Sequence, residues 1–352
     1  MIGLPSCGSS NARPARRRAL CFALRSALLG PLLGALLGAL LGTIAGYAQS
    51  QTQQEQSWPS KPVRIVVPSS SGGGTDAYAR LMAQSLSEAF GQSFLVDNRP
   101  GASGNIGTEI VARAAPDGHT LLITASAAIA INPNLFPRLG FDVARDLAPV
   151  AQGVRSNLVL VVNASVAAQT LNELIEAARR EPARIAFGSA GTGTTTYLGV
   201  RVIEEHAKVQ FLHVPYKGVG QAYQDLLAGN LKFVMADVAT AYPHIRSGRA
   251  RALVITTRSA RLPGVPSMTE LGFPFSTASA FSLMAPAGTP SGIIERLSQA
   301  LRRAMRQPAV AEKLEGLVLT PIFDTPAEFA IELQREREFW GAFIRRNRIS
   351  LE

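Results

Sequence analysis

Cysteine is nearly missing from this 352-residue chain, which has only Cys7 and Cys21, both ahead of residue 48. Beyond that point disulfides, thiolate nucleophiles and thiolate metal sites are excluded, and stability has to come from packing. Histidine is scarce too. His119, His206, His213 and His244 show no spacing that pairs them as metal ligands or with a carboxylate, so neither a metal centre nor a serine–histidine hydrolase is expected. The first 48 residues contain no acid and five of the 35 basic residues, which leaves 30 basic against 25 acidic, or +5, for the rest. That charge is too mild and dispersed for nucleic acid, which wants a clustered basic face, but it suits anionic small molecules.

The nucleotide signatures are also lacking. The glycine-rich run from Pro68 to Thr75 has no Gly-Lys-Ser/Thr ending to reach phosphates. Gly191-Thr192-Gly193 has no third glycine three residues on and no acid about twenty residues later to hold a ribose. Ser189 has Gly188 directly before it and Gly191 two residues after it, which does not fit the Gly-x-Ser-x-Gly elbow. No cofactor is therefore expected.

At the N-terminus, Arg13, Arg16, Arg17, Arg18 and Arg25 precede an apolar run from about Ala27 to Gly46 that ends in Gly46-Tyr47-Ala48. A basic region, an apolar region and a small-x-small site mark a secretory signal peptide over 1–48, with export by the general secretory route to the periplasm. Retention of the leader as an anchor is the alternative. Residues 49–59, polar and glutamine-rich, read as a linker.

The chain is organised around Val63 to Asp76, V-R-I-V-V-P-S-S-S-G-G-G-T-D. A β-branched strand is cut off by Pro68, and a serine and glycine loop leads into a helix beginning near Thr75. Gly72, Gly73 and Gly74 let several backbone N–H groups approach a ligand, and a helix N-terminus favours a bound anion. The plainer alternative is a tight turn capped by Thr75, with Asp76 complementing the helix dipole. A second strand, a second glycine-rich loop from Asn98 to Gly107, a helix and a strand at Thr120–Thr124 give βαβαβ, which predicts a mainly parallel twisted sheet with ligands beyond the strands' carboxyl ends.

The same alternation restarts after the apolar strand Leu158–Val162, with G-S-A-G-T-G-T-T-T-Y from Gly188 to Tyr197 opening another helix. Two lobes follow, 60–160 with 284–352 and 161–283. Apolar strands near Leu158 and Leu283 would cross between them as a hinge, and the C-terminal helices would return to the first lobe. Two glycine loops, one per lobe, then form a clamp for a carboxylate built from N–H donors without a full positive charge. Lys217 adds charge in one reading and is a solvated loop lysine in the other. Asp237, after a strand, can accept from a ligand's far end. Its alternative role as cap of a helix from Ala241 is weakened by distance.

An ordered set of motifs, from W-P-S-K-P-V-R-I-V-V-P at Trp58 through N-R-P-G-A-S-G-N-I-G, A-P-D-G-H-T-L-L, S-A-G-T-G-T, H-V-P-Y-K-G and P-H-I-R-S-G-R-A-R-A-L to M-A-P-A-G-T-P at Met284, resembles the extracytoplasmic substrate-binding proteins of tripartite tricarboxylate transporters, the Bug receptors. The resemblance implies a two-lobed α/β periplasmic binding fold, type II-like, that closes on a small carboxylate. It carries ligand contacts onto Ser69, Gly73, Gly74, Thr75 and Asp76 in the first loop and Ser189, Gly191, Thr192, Gly193 and Thr194 in the second, with Asp237 at the distal end. It also implies two integral membrane transporter subunits as partners, or a sensor in their place, for a chain expected to be monomeric and not an enzyme. An enzyme acting on a carboxylated molecule, with Asp237 or His213 as base, and a leader-tethered scaffold are the competing readings. The family pattern is broken at Ser69-Ser70-Ser71, where an aromatic residue and prolines are usual, at Ala280, often Trp, and at Val238, often Asn. An altered ligand is therefore expected.

Overall fold

The computed structural model describes residues 58–275, 278–346 and 349, so the expected leader and most of the expected linker lie outside the described residues. The linker's last two residues do not behave as linker. Trp58 and Pro59 are buried, with the Trp58 ring edge-on to Phe90 at 5.2 Å and to Phe94 at 6.3 Å. An aromatic residue next to a polar tail costs little to bury and closes the first lobe's core.

Lobe one opens with β1 (Val63–Val67), α1 (Gly74–Phe90), β2 (Phe94–Asn98), α2 (Asn105–Ala112) and β3 (Thr120–Ala125). In β1, Val63, Ile65 and Val67 pack with Tyr78, Met82 and Leu86 of α1, while Val66 faces the opposite core with Leu122 and Val111. That split is the period-2 alternation of a strand buried on both faces. α1 begins at Gly74, one residue before the predicted start, and its N-cap is Gly73, which offers no side-chain cap. It stops at Gly91, whose φ of 67° is the left-handed C-terminal geometry that a residue without Cβ adopts at least cost.

The chain then makes helical turns over Ala127–Ile131, which is buried, and Asn132–Leu135, and enters β4 (Leu147–Ser156) and β5 (Leu158–Asn163). Lobe two continues with α3 (Leu171–Arg180), β6 (Ala186–Ser189), α4 (Thr195–Ala207), β7 (Leu212–Pro215), α5 (Val219–Leu227), β8 (Phe233–Asp237), α6 (Val238–Arg246) and β9 (Ala250–Ile255). β10 (Ser279–Pro286), α7 (Ser291–Arg306), α8 (Pro308–Gly316), β11 (Thr320–Pro321) and α9 (Pro326–Arg346) return to lobe one.

The first sheet has the order β11-β4-β10-β3-β1-β2 and the second β7-β6-β8-β5-β9. The βαβαβ runs are parallel, β2 and β3 on β1 and β7 and β8 on β6. The strands that link the lobes run antiparallel to them, β10 against β3 and β4, β5 against β8 and β9, so both sheets are mixed. The change of sheet falls at Asn157. Ser156 pairs with Ser279 in the first sheet and Leu158 with Asp237 in the second. β5 and β10 thus each lie wholly within one sheet, and the expected boundaries at 160/161 and 283/284 move to Asn157 and to a point ahead of Ser279. An apolar strand reads the same whether it crosses a cleft or fills a sheet, because burial on both faces produces both.

Candidate functional site: an interlobe cleft

The loop after β1 points its glycines at lobe two, and the two lobes touch around it. The Ser70 N–H donates to the Lys217 carbonyl at 3.2 Å, the Gly74 N–H to Thr240 Oγ1 at 2.9 Å, and the Ser103 hydroxyl to the Thr192 carbonyl. Gly74 suits the close approach: a Cβ there would stand 3.2 Å from Ala239 Cβ and from the Phe281 ring, tighter than usual contacts. The first turn of α1 therefore reaches the first turn of α6 across the cleft.

Between these contacts lies a cavity of about 70 Å³. Six of the eleven predicted residues line it, namely Ser69, Gly73, Gly74 and Thr75 from lobe one and Thr194 and Asp237 from lobe two. Thr195 and Thr196 at the start of α4 also line it, as do Ser70 and Lys217. Helix geometry leaves the N–H groups of Thr75, Thr195 and Thr196 without intrahelical acceptors, so donors from both lobes converge on one space.

The other five do not line this cavity. Asp76 turns back into its own loop, where Oδ2 accepts from the Gly72 N–H and from Arg80 Nε, each at 3.0 Å, and Oδ1 accepts from Asn98 Nδ2 at 3.0 Å. Burial opposes its charge, yet hydrogen bonds from Arg80, Gly72 and Asn98 hold its carboxyl below the usual range. It shapes the glycine turn. Ser189 is fully buried, with Oγ accepting from the Gly191 N–H at 3.1 Å and sharing a 2.8 Å hydrogen bond with His213 Nε2. Gly191 and Thr192 line a wider neighbouring crevice of about 380 Å³ with Phe136 and Tyr216, which shares Ser103 and Lys217 with the inner cavity. Gly193 has φ +86°, and a Cβ there would come within 2.7 Å of the Leu135 side chain. Its role is to let loop two sit against lobe one.

No serine–histidine hydrolase was expected, yet a serine–histidine pair does form, between Ser189 and His213. Burial, with the Arg201 charge, pushes the His213 pKa down to about 4, and its ring stacks on Phe187 with centroids 4.8 Å apart. Among the described residues no carboxylate hydrogen-bonds this imidazole, and Ser189 is fully buried, so the pair braces the loop. Among the described residues no group of three or more His, Cys, Asp or Glu is placed to hold a metal ion.

Asp237 is the cap residue of α6, which begins at Val238 and not at the predicted Ala241. Its carboxyl makes no side-chain capping bond, and Oδ1 has no hydrogen-bond partner among the described residues. Burial raises its pKa to about 7. Ser69 Oγ and Ser70 Oγ are buried without partners in the same way. Ser70, Thr195 and Thr196 were not among the predicted contacts, though adjacency to the two loops in sequence marks them. Thr240 carries no such signal, since its bond to Gly74 exists only once the lobes meet.

Residues 78–348 match the family described as tripartite tricarboxylate transporter family receptor. A Pseudomonas sp. (strain P51) protein from the tcbD-tcbE intergenic region is 36% identical, over 84% of this chain and 89% of its own length. Protein BugT of Bordetella pertussis is likewise 36% identical, over 82% and 90%. Among solved structures, an R. palustris protein determined with adipate superposes with a TM-score of 0.80 at 32% identity, covering 83% of this chain and 99% of that one. MatC from Rhodopseudomonas palustris with bound malate does so with 0.78 at 30%, covering 81% and 99%. The fold is theirs, and the chain belongs to the tripartite tricarboxylate transporter receptor family.

Proposed function

We propose that this chain is an exported solute receptor that captures a small carboxylate between its lobes and hands it to a membrane transporter or a sensor. The observation that carries this reading is the convergence of first-turn N–H groups from α1 and α4, on opposite lobes, upon one cavity. Such donors, together with the partial positive charge of two helix ends, hold an anion in a partly dry site without a guanidinium. Contacts reaching from Ser70, Gly74 and Ser103 to lobe two link ligand capture to lobe closure, with the changeover at Asn157 as hinge. Release to integral membrane subunits then follows reopening. The carboxylates named for the R. palustris structures, adipate and malate, agree with the chemical class.

The test is a thermal-shift screen of the protein lacking residues 1–48 against aliphatic, aromatic and amino carboxylates. A ligand at 100 times its Kd stabilises the native state by about 2.7 kcal/mol and raises Tm by several degrees. A flat response to every carboxylate overturns the receptor reading. Turnover of one of them supports an enzyme instead.

A further inference from the structure

The inner cavity offers one place for a carboxylate and a different chemistry elsewhere on its lining. At the α1 and α4 N-termini, N–H groups of Thr75, Thr195 and Thr196 meet an anion. Elsewhere on the lining, three buried oxygens have no partner among the described residues: Ser69 Oγ, Ser70 Oγ and Asp237 Oδ1. Asp237 is only 6% exposed. Buried polar atoms left unpaired cost about 1–3 kcal/mol each, so the ligand that fits is the one that pairs them.

Resting on the receptor reading, we infer that the ligand is a small hydroxylated monocarboxylate, its carboxylate at the two helix ends and its hydroxyls on Asp237 and the Ser69–Ser70 pair. One alcohol donates to Asp237 and accepts from a serine, which satisfies two of the orphaned atoms at once. It pairs Asp237 whether or not that acid holds its proton. A second carboxylate on the ligand is accommodated only if Asp237 is protonated, and Lys217, exposed at the rim, is the only cationic side chain on the lining. An ammonium in place of the alcohol also donates to Asp237 but accepts nothing, leaving the serine hydroxyl protons without an acceptor on the ligand.

The experiment is calorimetric titration of the protein lacking residues 1–48 with glycerate, lactate, propionate, alanine and malonate, alongside the wider carboxylate screen. Glycerate and lactate are expected to bind about ten- to a hundredfold more tightly than propionate, the cost of leaving a buried partner unpaired. They are expected to exceed alanine and malonate by at least about tenfold, the equivalent of one such hydrogen bond. Propionate, alanine or malonate binding as tightly as glycerate overturns the inference while leaving the receptor reading standing. Silence from every carboxylate in the screen removes both. In a folded Ser69→Ala, Ser70→Ala, Asp237→Asn variant, checked by its melting transition, the advantage of glycerate over propionate is expected to collapse. Its survival there equally overturns the assignment.

Discussion

The loop after β1 and the loop after β6 are alike in sequence, each a serine and glycine run between a strand and a helix, yet they spend their polar groups differently. In the second, Ser189 is tied to His213 and Gly191, Thr194 Oγ1 donates to the Gly191 carbonyl at 2.7 Å, and Thr196 Oγ1 accepts from the Ala190 N–H at 3.1 Å. In the first, the side chain of Asp76 braces the turn from behind and the hydroxyls of Ser69 and Ser70 are left over. One loop is a self-braced platform that offers backbone donors. The other is a face that also offers side chains. Two glycine loops in one cleft therefore do not imply two equivalent halves of a grip.

The comparison is broken most severely at Gly193. A Gly193→Leu substitution drives a side chain into Leu135 and strains a positive-φ position by about 1–2 kcal/mol, too little to unfold a domain of this size. Carboxylate affinity is expected to fall by about a hundredfold or more, roughly the free energy of one overpacked contact, because the platform no longer seats on lobe one. Unchanged affinity in calorimetry would show that loop two need not dock for binding.

Asp237 and His213 give opposite pH signatures. The folded protein keeps the Asp237 proton up to about pH 7, whereas the unfolded chain loses it near 3.8, so this stabilisation is complete below pH 3.8 and is lost as pH rises to about 7. His213 titrates near 4 when folded and 6.5 when unfolded, so its contribution is complete above pH 6.5 and is lost as pH falls to about 4. Asp237→Asn removes the first. The variant's Tm is expected to gain on wild type by several degrees more at pH 8 than at pH 4, and to decline from pH 6.5 to 4. An equal offset at both pH values would mean that Asp237 does not titrate abnormally in the folded state.

The smallest effects separate the loops most cleanly. Ser189→Ala strands the Gly191 N–H and the His213 ring nitrogen and is expected to cost about 1–3 kcal/mol in chemical denaturation. Ser70→Ala removes a buried hydroxyl that has no partner and is expected to raise stability, by up to about 1–3 kcal/mol. Equal losses in the two variants would dissolve the distinction between platform and face.

Much of the architecture was legible in the chain. α3, α7 and α9 show it, since an amphipathic helix laid on a core writes its 3.6-residue period into sequence. β4 and the turns over 127–135 were not seen. β4 has polar Gln152 and Ser156 buried beside valines, and Ala127–Ile131 is an apolar run too short to declare its period. Of the site, residues next to the glycine loops were legible, whereas the inward turn of Asp76 and the burial of Ser189 were not, because both depend on partners 22 and 24 residues away, Asn98 and His213.

By itself the sequence determined that this is a two-lobed α/β chain with glycine-rich strand ends and no thiol beyond residue 48, because periodicity and composition are local properties that every residue carries. Only the tertiary structure decided which loop atoms face the cleft and which are consumed inside the protein, and that Asp237 Oδ1 is left without a partner at α6. Hydrogen-bond satisfaction is a question of which distant groups come within about 3 Å, and no local pattern encodes that.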